Sequence, residues 1–381
     1  MTDEDIYITR VNIHSVRHLK DIEIPLSEIE RKHLIFTGIN GSGKTSVLEA
    51  IKEYLDSHKE RSVLTDNSRI ELFFNLKIYY SSYYTLYHTG NHILAFFNAK
   101  RKAELIQPNG IKKVDLKKLY SFNDKASSEF IQHIVNLQVD RLFAEKGNEI
   151  ETVNKIDNWF EMFEQSLKYL FEDNEVKLEF DIKNYDYNIV KKGREKFTFN
   201  QLSDGYSAIF DIVSELIMRM ESYRTKSYDI QGIVLIDEIE THLHVSLQKK
   251  ILPFLTSFFP KVQFIVTTHS PFVLSSIENA VICDLQNNII ASDFSGYSYD
   301  GIIESYFDID KYSQDIKDKI EEYERLALAE TLTEEEEGRM IELRIYLKEI
   351  PAFLSKGLKL KFMKIESKRR EKHISAATQL V

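Results

Sequence analysis

The chain has 381 residues, 43% hydrophobic and 29% charged, with a formal net charge of −10 and one cysteine. That balance suits a globular protein with apolar surface for one large α/β domain or two domains. A single cysteine, Cys283, excludes an intramolecular disulfide framework and a multi-cysteine metal cluster, and the acidic balance argues against a protein coated in nucleic acid.

The opening Met1-Thr2-Asp3-Glu4-Asp5 is acidic, with no apolar core of signal-peptide type behind it. No uninterrupted apolar stretch approaches membrane-spanning length, so a cytoplasmic protein without a membrane partner is expected. Alternation of Ile6, Ile8, Val11 and Ile13, then Leu19, Ile22, Ile24 and Leu26, predicts a β-hairpin. Leu34-Ile35-Phe36 reads as a strand and Ser46-Val47-Leu48-Glu49-Ala50-Ile51 as a helix. Between them stands Gly38-Ile39-Asn40-Gly41-Ser42-Gly43-Lys44-Thr45. Glycines let backbone bend around phosphates, several N–H groups then face inward at a helix start, and the macrodipole there favours anions. Lys44 can reach β- and γ-phosphates, and Thr45 can offer its hydroxyl to Mg²⁺. Gly38, Asn40, Gly41, Ser42, Gly43, Lys44, Thr45 and Ser46 are therefore the candidate nucleotide-binding residues, with ATP and Mg²⁺ as ligands.

Residues 70–97, rich in Phe, Tyr and Ile, read as further strands. A half-buried antiparallel sheet accounts for their tyrosines, with base-stacking platforms as the alternative. Residues 127–172 read as helices carrying an apolar stripe of Trp159, Phe160, Phe163, Leu167 and Leu170. Leu178–Ile182 and Tyr187–Val190 resemble a hairpin. Leu202-Ser203-Asp204-Gly205 follows, with Ser203 or Asp204 suited to cap the helical pattern through Ile209, Ile212, Val213, Leu216 and Ile217. Gly232–Ile236 reads as a buried parallel strand ending in Asp237-Glu238, where ligands sit in such sheets. Asp237 is placed to hold Mg²⁺ through water, and Glu238 to polarise the attacking water as general base. Phe264-Ile265-Val266 is a further strand, leading to His269, an imidazole placed to sense the γ-phosphate and orient that water. Cys283 falls in a last apolar strand, where packing is expected of it.

Beyond residue 300 the chain turns charged and helical. Ile316, Ile320, Tyr323 and Leu326 mark one helix, and Thr333 to Glu336 is a capping box opening a second through Met340, Leu343 and Leu347. Pro351 starts a third, basic segment. The expected division is a head over 1–300, with an inserted β/helical region at about 65–198, and a helical hairpin with basic tail over 301–381.

Phosphate loop, Leu-Ser-x-Gly, Asp-Glu and His, in that order, resemble the ABC-type ATPases of the SMC, RecF and OLD-like branch. The resemblance implies an α/β fold: an ABC-type (RecF/SMC-like) P-loop ATPase head with mixed sheet, helical insertion and C-terminal helical hairpin. It further implies that Ser203 and Gly205 contact the γ-phosphate held by a second copy, in a homodimer or higher oligomer hydrolysing ATP. The interval from Lys44 to Ser203 lacks sustained heptads, so a long coiled-coil arm is not expected. Asp204 replaces a glycine of the usual signature, and His244 stands where transporters carry an acidic residue. The glutamine of the family's intervening loop has only Gln138 as a candidate. The Asp237–His244 segment, compact insertion and C-terminal helices resemble the PtuA-like ATPase subunits of Septu and retron antiphage systems. That implies a sensor or regulatory subunit working with a separate effector, an HNH-type nuclease or another toxin. The alternative is a RecF-like DNA-repair ATPase binding ends or gaps.

Two basic clusters, Lys100-Arg101-Lys102 with Lys112-Lys113 and Lys117-Lys118, and Lys356 to Lys372, could contact nucleic acid phosphates in a salt-sensitive way. They could equally dock on an acidic partner or remain solvated.

Overall fold

A computed structural model of the chain describes residues 5–56, 68–75, 87, 91–117, 119–221, 230–292, 294–296, 301–302, 313–329, 331–350 and 356–378. Two compact units emerge, Met1–Tyr299 and Asp300–Val381.

The first unit is built on a six-stranded sheet. Its strands are β3 (His33–Thr37), β5 (His92–Phe97), β9 (Gln231–Ile236), β10 (Val262–Thr267), β11 (Ala280–Asp284) and β12 (Ile289–Ala291), in the order β12-β11-β3-β10-β9-β5. All neighbours pair in parallel except β11 with the edge strand β12. Strands β9 and β10 are buried almost throughout, which is why their sequences read as unbroken apolar runs. The registers Phe97↔Ile236, Val266↔Ile236, Thr267↔Phe36 and Asp284↔Thr37 bring the carboxyl ends of five strands level.

A second sheet pairs β1 (Ile8–Val16) antiparallel with β2 (Leu19–Pro25) and β4 (Ser68–Phe74). Helix α1 (Lys44–Asp56) buries Val47, Leu48, Ala50, Ile51 and Leu55 in the core shared with both sheets. Buried Gln263 fastens β1 to the main sheet: its amide bonds Ile8 on both sides, donating to Ile8 O (2.9 Å) and accepting from Ile8 N (2.7 Å). The expected hairpin and the strand leading into the glycine loop are thus present, and the α/β class with a mixed sheet is the architecture observed. The strands of residues 70–97 form no single antiparallel sheet, however. β4 joins β1, while β5 lies parallel to β9, because Ile93, Leu94 and Ala95 are buried on both faces. Lys77–Tyr80, with two of the tyrosines, lie outside the described residues.

Helices α2 (Phe130–Lys146) and α3 (Ile150–Phe171) precede a small antiparallel sheet of β6 (Lys177–Asp181), β7 (Asp186–Val190) and β8 (Phe197–Thr198). Trp159, Phe163, Leu167 and Leu170 are buried as expected, and Phe163 meets Phe130, Phe199 and Phe210. Phe160 stays half-exposed and stacks on Tyr187. Helix α4 (Asp204–Glu221) is buried nearly all round after its first residue, the signature of a central helix. Three short helices, α5 (Val245–Gln248), α6 (Ile251–Phe258) and α7 (Pro271–Leu274), link the later strands.

In the second unit, α8 (Gln314–Leu328), α9 (Glu334–Glu349) and α10 (Lys356–Thr378) share a core of Ile320, Tyr323, Leu326, Met340, Leu343, Leu347, Leu358 and Ile365. The Thr333–Glu336 capping box forms as read. The basic segment is a third helix rather than a tail, because Leu358 and Ile365 complete that core. Glu366 of α10 accepts from Arg344 (2.6 Å) and from Tyr323. Among the described residues no helix is long and apolar enough to cross a membrane.

Two buried histidines make the head sensitive to acid. Burial pushes His33 and His92 down from an ordinary 6.5 to about 4, and His33 Nδ1 accepts from Phe264 N (3.1 Å). Below pH 6.5 the unfolded chain takes up protons that the folded chain refuses. Their stabilisation is therefore complete above pH 6.5 and is lost as pH falls toward 4. Each is expected to cost about 2 kcal/mol at pH 5 relative to pH 7. Denaturant midpoints at the two pH values check this, with His33→Gln recovering part of the loss; a pH-independent midpoint would rule it out.

Candidate active site

The loop after β3 takes its shape from backbone that only glycine adopts freely: Gly38, Gly41 and Gly43 have φ of 132°, 85° and 98°. At Gly43 a Cβ would also lie 2.9 Å from Leu19 Cδ1, at the turn of the β1–β2 hairpin. Lys44 opens α1, is only 6% exposed, and donates from Nζ to Gly38 O (2.9 Å) and Ile39 O (3.0 Å). Burial holds its ammonium below the ordinary lysine range, against the pull of Glu238 and Glu240. Gln286, beyond β11, accepts from Ile39 N at the loop's outer edge (3.3 Å).

Thr45, one residue on, donates to both carboxylate oxygens of Asp237 (3.0 and 3.2 Å). Thr267, closing β10, donates to Asp237 Oδ1 (2.6 Å) and accepts from Glu238 N (2.7 Å). Two hydroxyls, one from the first turn of α1 and one from the end of β10, thus hold Asp237 over the start of α1. Glu238 has φ 42°, an uncommon conformation for a side-chain-bearing residue, and its Oε2 accepts from Thr241 Oγ1 (3.2 Å). The chain turns sharply here, with Thr241 N donating to Glu238 O and Ile239 N to Thr267 O.

His269 follows β10, and its backbone N–H donates to Glu240 Oε1 (2.5 Å). Burial and the Lys44 ammonium hold its imidazole below the ordinary histidine range, so the ring is neutral at pH 7. Its Nε2 is buried without a hydrogen-bond partner among the described residues, as are Ser42 Oγ in the loop and Glu240 Oε2. Ser270 Oγ donates to Gln248 (2.7 Å), anchoring the His269 turn to α5. A glycine-lined cradle, a lysine at its floor, a hydroxyl–carboxylate pair and orphaned polar atoms fit a nucleoside triphosphate with its Mg²⁺. Thr45 and Asp237 are the residues suited to the metal.

The structure therefore brings Gly38 to Ser46, Asp237, Glu238 and His269 to one edge of the sheet. Ser203 lies elsewhere, exposed at the start of α4; its carbonyl accepts the helix's first bond from Ser207 N (2.8 Å), making it the N-cap. Gly205 has a local reason to be glycine, since a Cβ there would meet His242 O at 3.0 Å. His244 caps α5, accepting from Ser246 N (3.4 Å). Gln138 sits within α2 rather than at a strand end, and accepts from Tyr187 OH (3.4 Å).

Arg101 corrects the sequence reading. Read as part of a basic patch, it is 6% exposed, and its guanidinium donates to the carbonyls of Asn98, Asp237, Glu238 and Ile239. Burial lowers it to about 10. The alternation of buried Arg101, Ala103 and Leu105 with exposed Lys102 and Glu104 was the available signal. The second basic cluster is partly neutralised within its own unit, Arg369 pairing with Glu366 (3.5 Å) and Lys361 with Glu324 (3.8 Å).

The family described as "AAA domain, putative AbiEii toxin, Type IV TA system" matches residues 58–275, a stretch that starts beyond the phosphate loop and spans Ser203, Asp237 and His269. The Septu protein PtuA of Bacillus mycoides (strain KBAB4) is 25% identical over 323 residues, covering 79% of this chain and 44% of that protein. The Septu protein PtuA of Bacillus thuringiensis is 26% identical over 356 residues, covering 81% and 85%. The Retron Ec83 probable ATPase of Escherichia coli is 32% identical over 164 residues, covering 40% and 30%. The chain thus spans less than half of the first and third of these relatives and most of the second. With more than half of its length matched, over strands that carry the carboxylates and the imidazole, the chain belongs to this AAA-domain family.

Proposed function

We propose that the chain is the ATP-hydrolysing subunit of an antiphage defence complex, in which two copies complete each other's catalytic sites. The observation that carries the chemistry is the Thr45–Asp237–Thr267 arrangement at the foot of the phosphate loop, with Lys44 and the unpartnered His269 Nε2 facing the same edge. Lys44 and the loop amides bind phosphate, and Thr45 with Asp237 holds Mg²⁺, which supplies charge neutralisation at the phosphates. Glu238 takes the proton from the attacking water, and neutral His269 hydrogen-bonds the γ-phosphate and orients that water. Ser203 and the exposed start of α4 offer a second anion site for the partner's nucleotide.

The relatives named Septu protein PtuA and retron ATPase support the defence role. In this reading ATP occupancy restrains a separate effector, an HNH-type nuclease or another toxin, in the cytoplasm.

Mixing variants tests the shared site. Lys44→Ala and Ser203→Arg should each be inactive alone. In an equal mixture half the dimers are hybrids, each with one intact composite site, so about a quarter of wild-type hydrolysis should return. Mixtures that stay inactive beside a fully active, verified monomer would end the proposal.

A further inference from the structure

Arg101 spends a buried guanidinium on backbone carbonyls rather than on a carboxylate. NH1 donates to Asn98 O (2.8 Å) and Asp237 O (2.6 Å), and NH2 to Glu238 O (2.9 Å) and Ile239 O (3.1 Å). Three of the four acceptors are consecutive, in the turn where Glu238 holds φ 42°. In an extended chain successive carbonyls alternate sides, so three can converge on one group here because the chain turns, and a planar fork of fixed donors is a side chain that can gather them. A lysine at this place has one point charge and cannot span them. The turn carries both carboxylates, Asp237 and Glu238, so its geometry sets where each oxygen lies relative to Thr45 and the phosphate loop.

The same short segment is tied at its other end to the signature. Ala103 N donates to Ser207 Oγ (3.1 Å), and Leu105 O accepts from Asn200 Nδ2 (3.1 Å). Asn200 and Ser207 bracket Ser203–Gly205 on either side. Residues 101–105 therefore form one extended strap, with alternate side chains inward, from the carboxylate turn to both flanks of the signature. The strap is held by the Asn200–Leu105 and Ser207–Ala103 hydrogen bonds at the signature end and by the Arg101 guanidinium at the carboxylate turn.

We infer that Arg101 is a positioning residue for hydrolysis, holding the Asp237–Glu238–Ile239 turn in its strained form and linking that turn to the signature through residues 101–105. This rests on the reading of Asp237 and Glu238 as the hydrolytic carboxylates. The consequence is a separation of binding from turnover, since the phosphate loop and Lys44 make no contact with Arg101 among its four acceptors.

Arg101→Lys is the decisive variant, because it keeps the charge and much of the volume. Binding of a fluorescent ATP analogue should stay within about threefold of wild type, and thermal midpoint close to it, while kcat falls roughly 10- to 100-fold. In Arg101→Ala, added guanidinium ion at millimolar concentration should restore part of the lost turnover, and added ammonium should not. An unchanged kcat in Arg101→Lys overturns the inference. So does a loss of turnover that merely parallels loss of ATP binding or of folded protein. Glu238→Gln, assayed alongside, separates the two levels. If it leaves hydrolysis intact, the carboxylate reading fails whatever Arg101 does; if it stops hydrolysis while Arg101→Lys does not, only the positioning role falls.

Discussion

Replacing Glu238 by glutamine is expected to lower ATP turnover by about 100- to 10,000-fold while ATP still binds, an effect worth roughly 3–5 kcal/mol of activation barrier. The substitution is nearly isosteric. Glutamine can keep the contact with Thr241 Oγ1, and the bond from residue 238 N to Thr267 Oγ1 is backbone and survives. What disappears is the carboxylate able to accept a proton from water. Neither Lys44 nor the loop amides depend on the Glu238 side chain for a hydrogen bond, so phosphate affinity should change only a few-fold. Asp237→Asn makes the useful contrast, because Asp237 accepts from both Thr45 and Thr267. That variant should weaken Mg²⁺-dependent binding as well as turnover. Single-turnover phosphate release, measured beside equilibrium nucleotide binding, reads both effects. A steady-state rate in Glu238→Gln equal to wild type would remove Glu238 from the chemistry.

The parts of this site that were legible in sequence are those whose geometry is local. Eight contiguous residues fix the phosphate loop, and an apolar run ending in two acids fixes the carboxyl end of β9, because strand burial and strand ends are written into adjacent positions. Residues whose meaning depends on distant partners were harder to read. Arg101 sits between two lysines and looked like surface charge; only the neighbouring strands β5 and β9 reveal that it faces inward. The sequence of β5 suits an antiparallel sheet equally well, since a short apolar run does not say which neighbour it will find. The resemblance assigns Gly205 a role across an interface, and nothing in the adjacent residues signals that His242 O approaches it within the same chain. The third helix of the second unit was masked by its lysines, which hide the two buried positions Leu358 and Ile365 that hold it to the bundle.

Glu215→Ala is expected to destabilise the head by about 3–5 kcal/mol, the usual result of removing one partner of a buried ion pair. Glu215 and Arg219 are 4% and 2% exposed, one helical turn apart on α4, and meet at 2.7 Å. Their value lies in what they reach. Glu215 Oε2 accepts from Ala126 N and Ser127 N, both at 2.8 Å, at the approach to α2. Arg219 donates to the carbonyls of Leu94 and Tyr120 through one nitrogen, and of Ser121 and Asp124 through the other. One pair thus fastens strand β5 and the 120–127 segment to the central helix. Alanine at 215 would leave a buried cation without its counter-ion and two amide donors without acceptors, at about 1–3 kcal/mol for each stranded group, though not additively. Against a total stability of about 5–15 kcal/mol for a domain, such a loss is a large share. The exposed pair Arg10–Glu23 supplies the control, at 40% and 61% side-chain exposure. Glu23→Ala should cost under about 1 kcal/mol, because solvent already screens that contact. Denaturant unfolding of the two variants against wild type decides the matter. Equal, small losses in both would mean that burial adds nothing to the Glu215–Arg219 pair, and that the 120–127 segment is held by its packing alone.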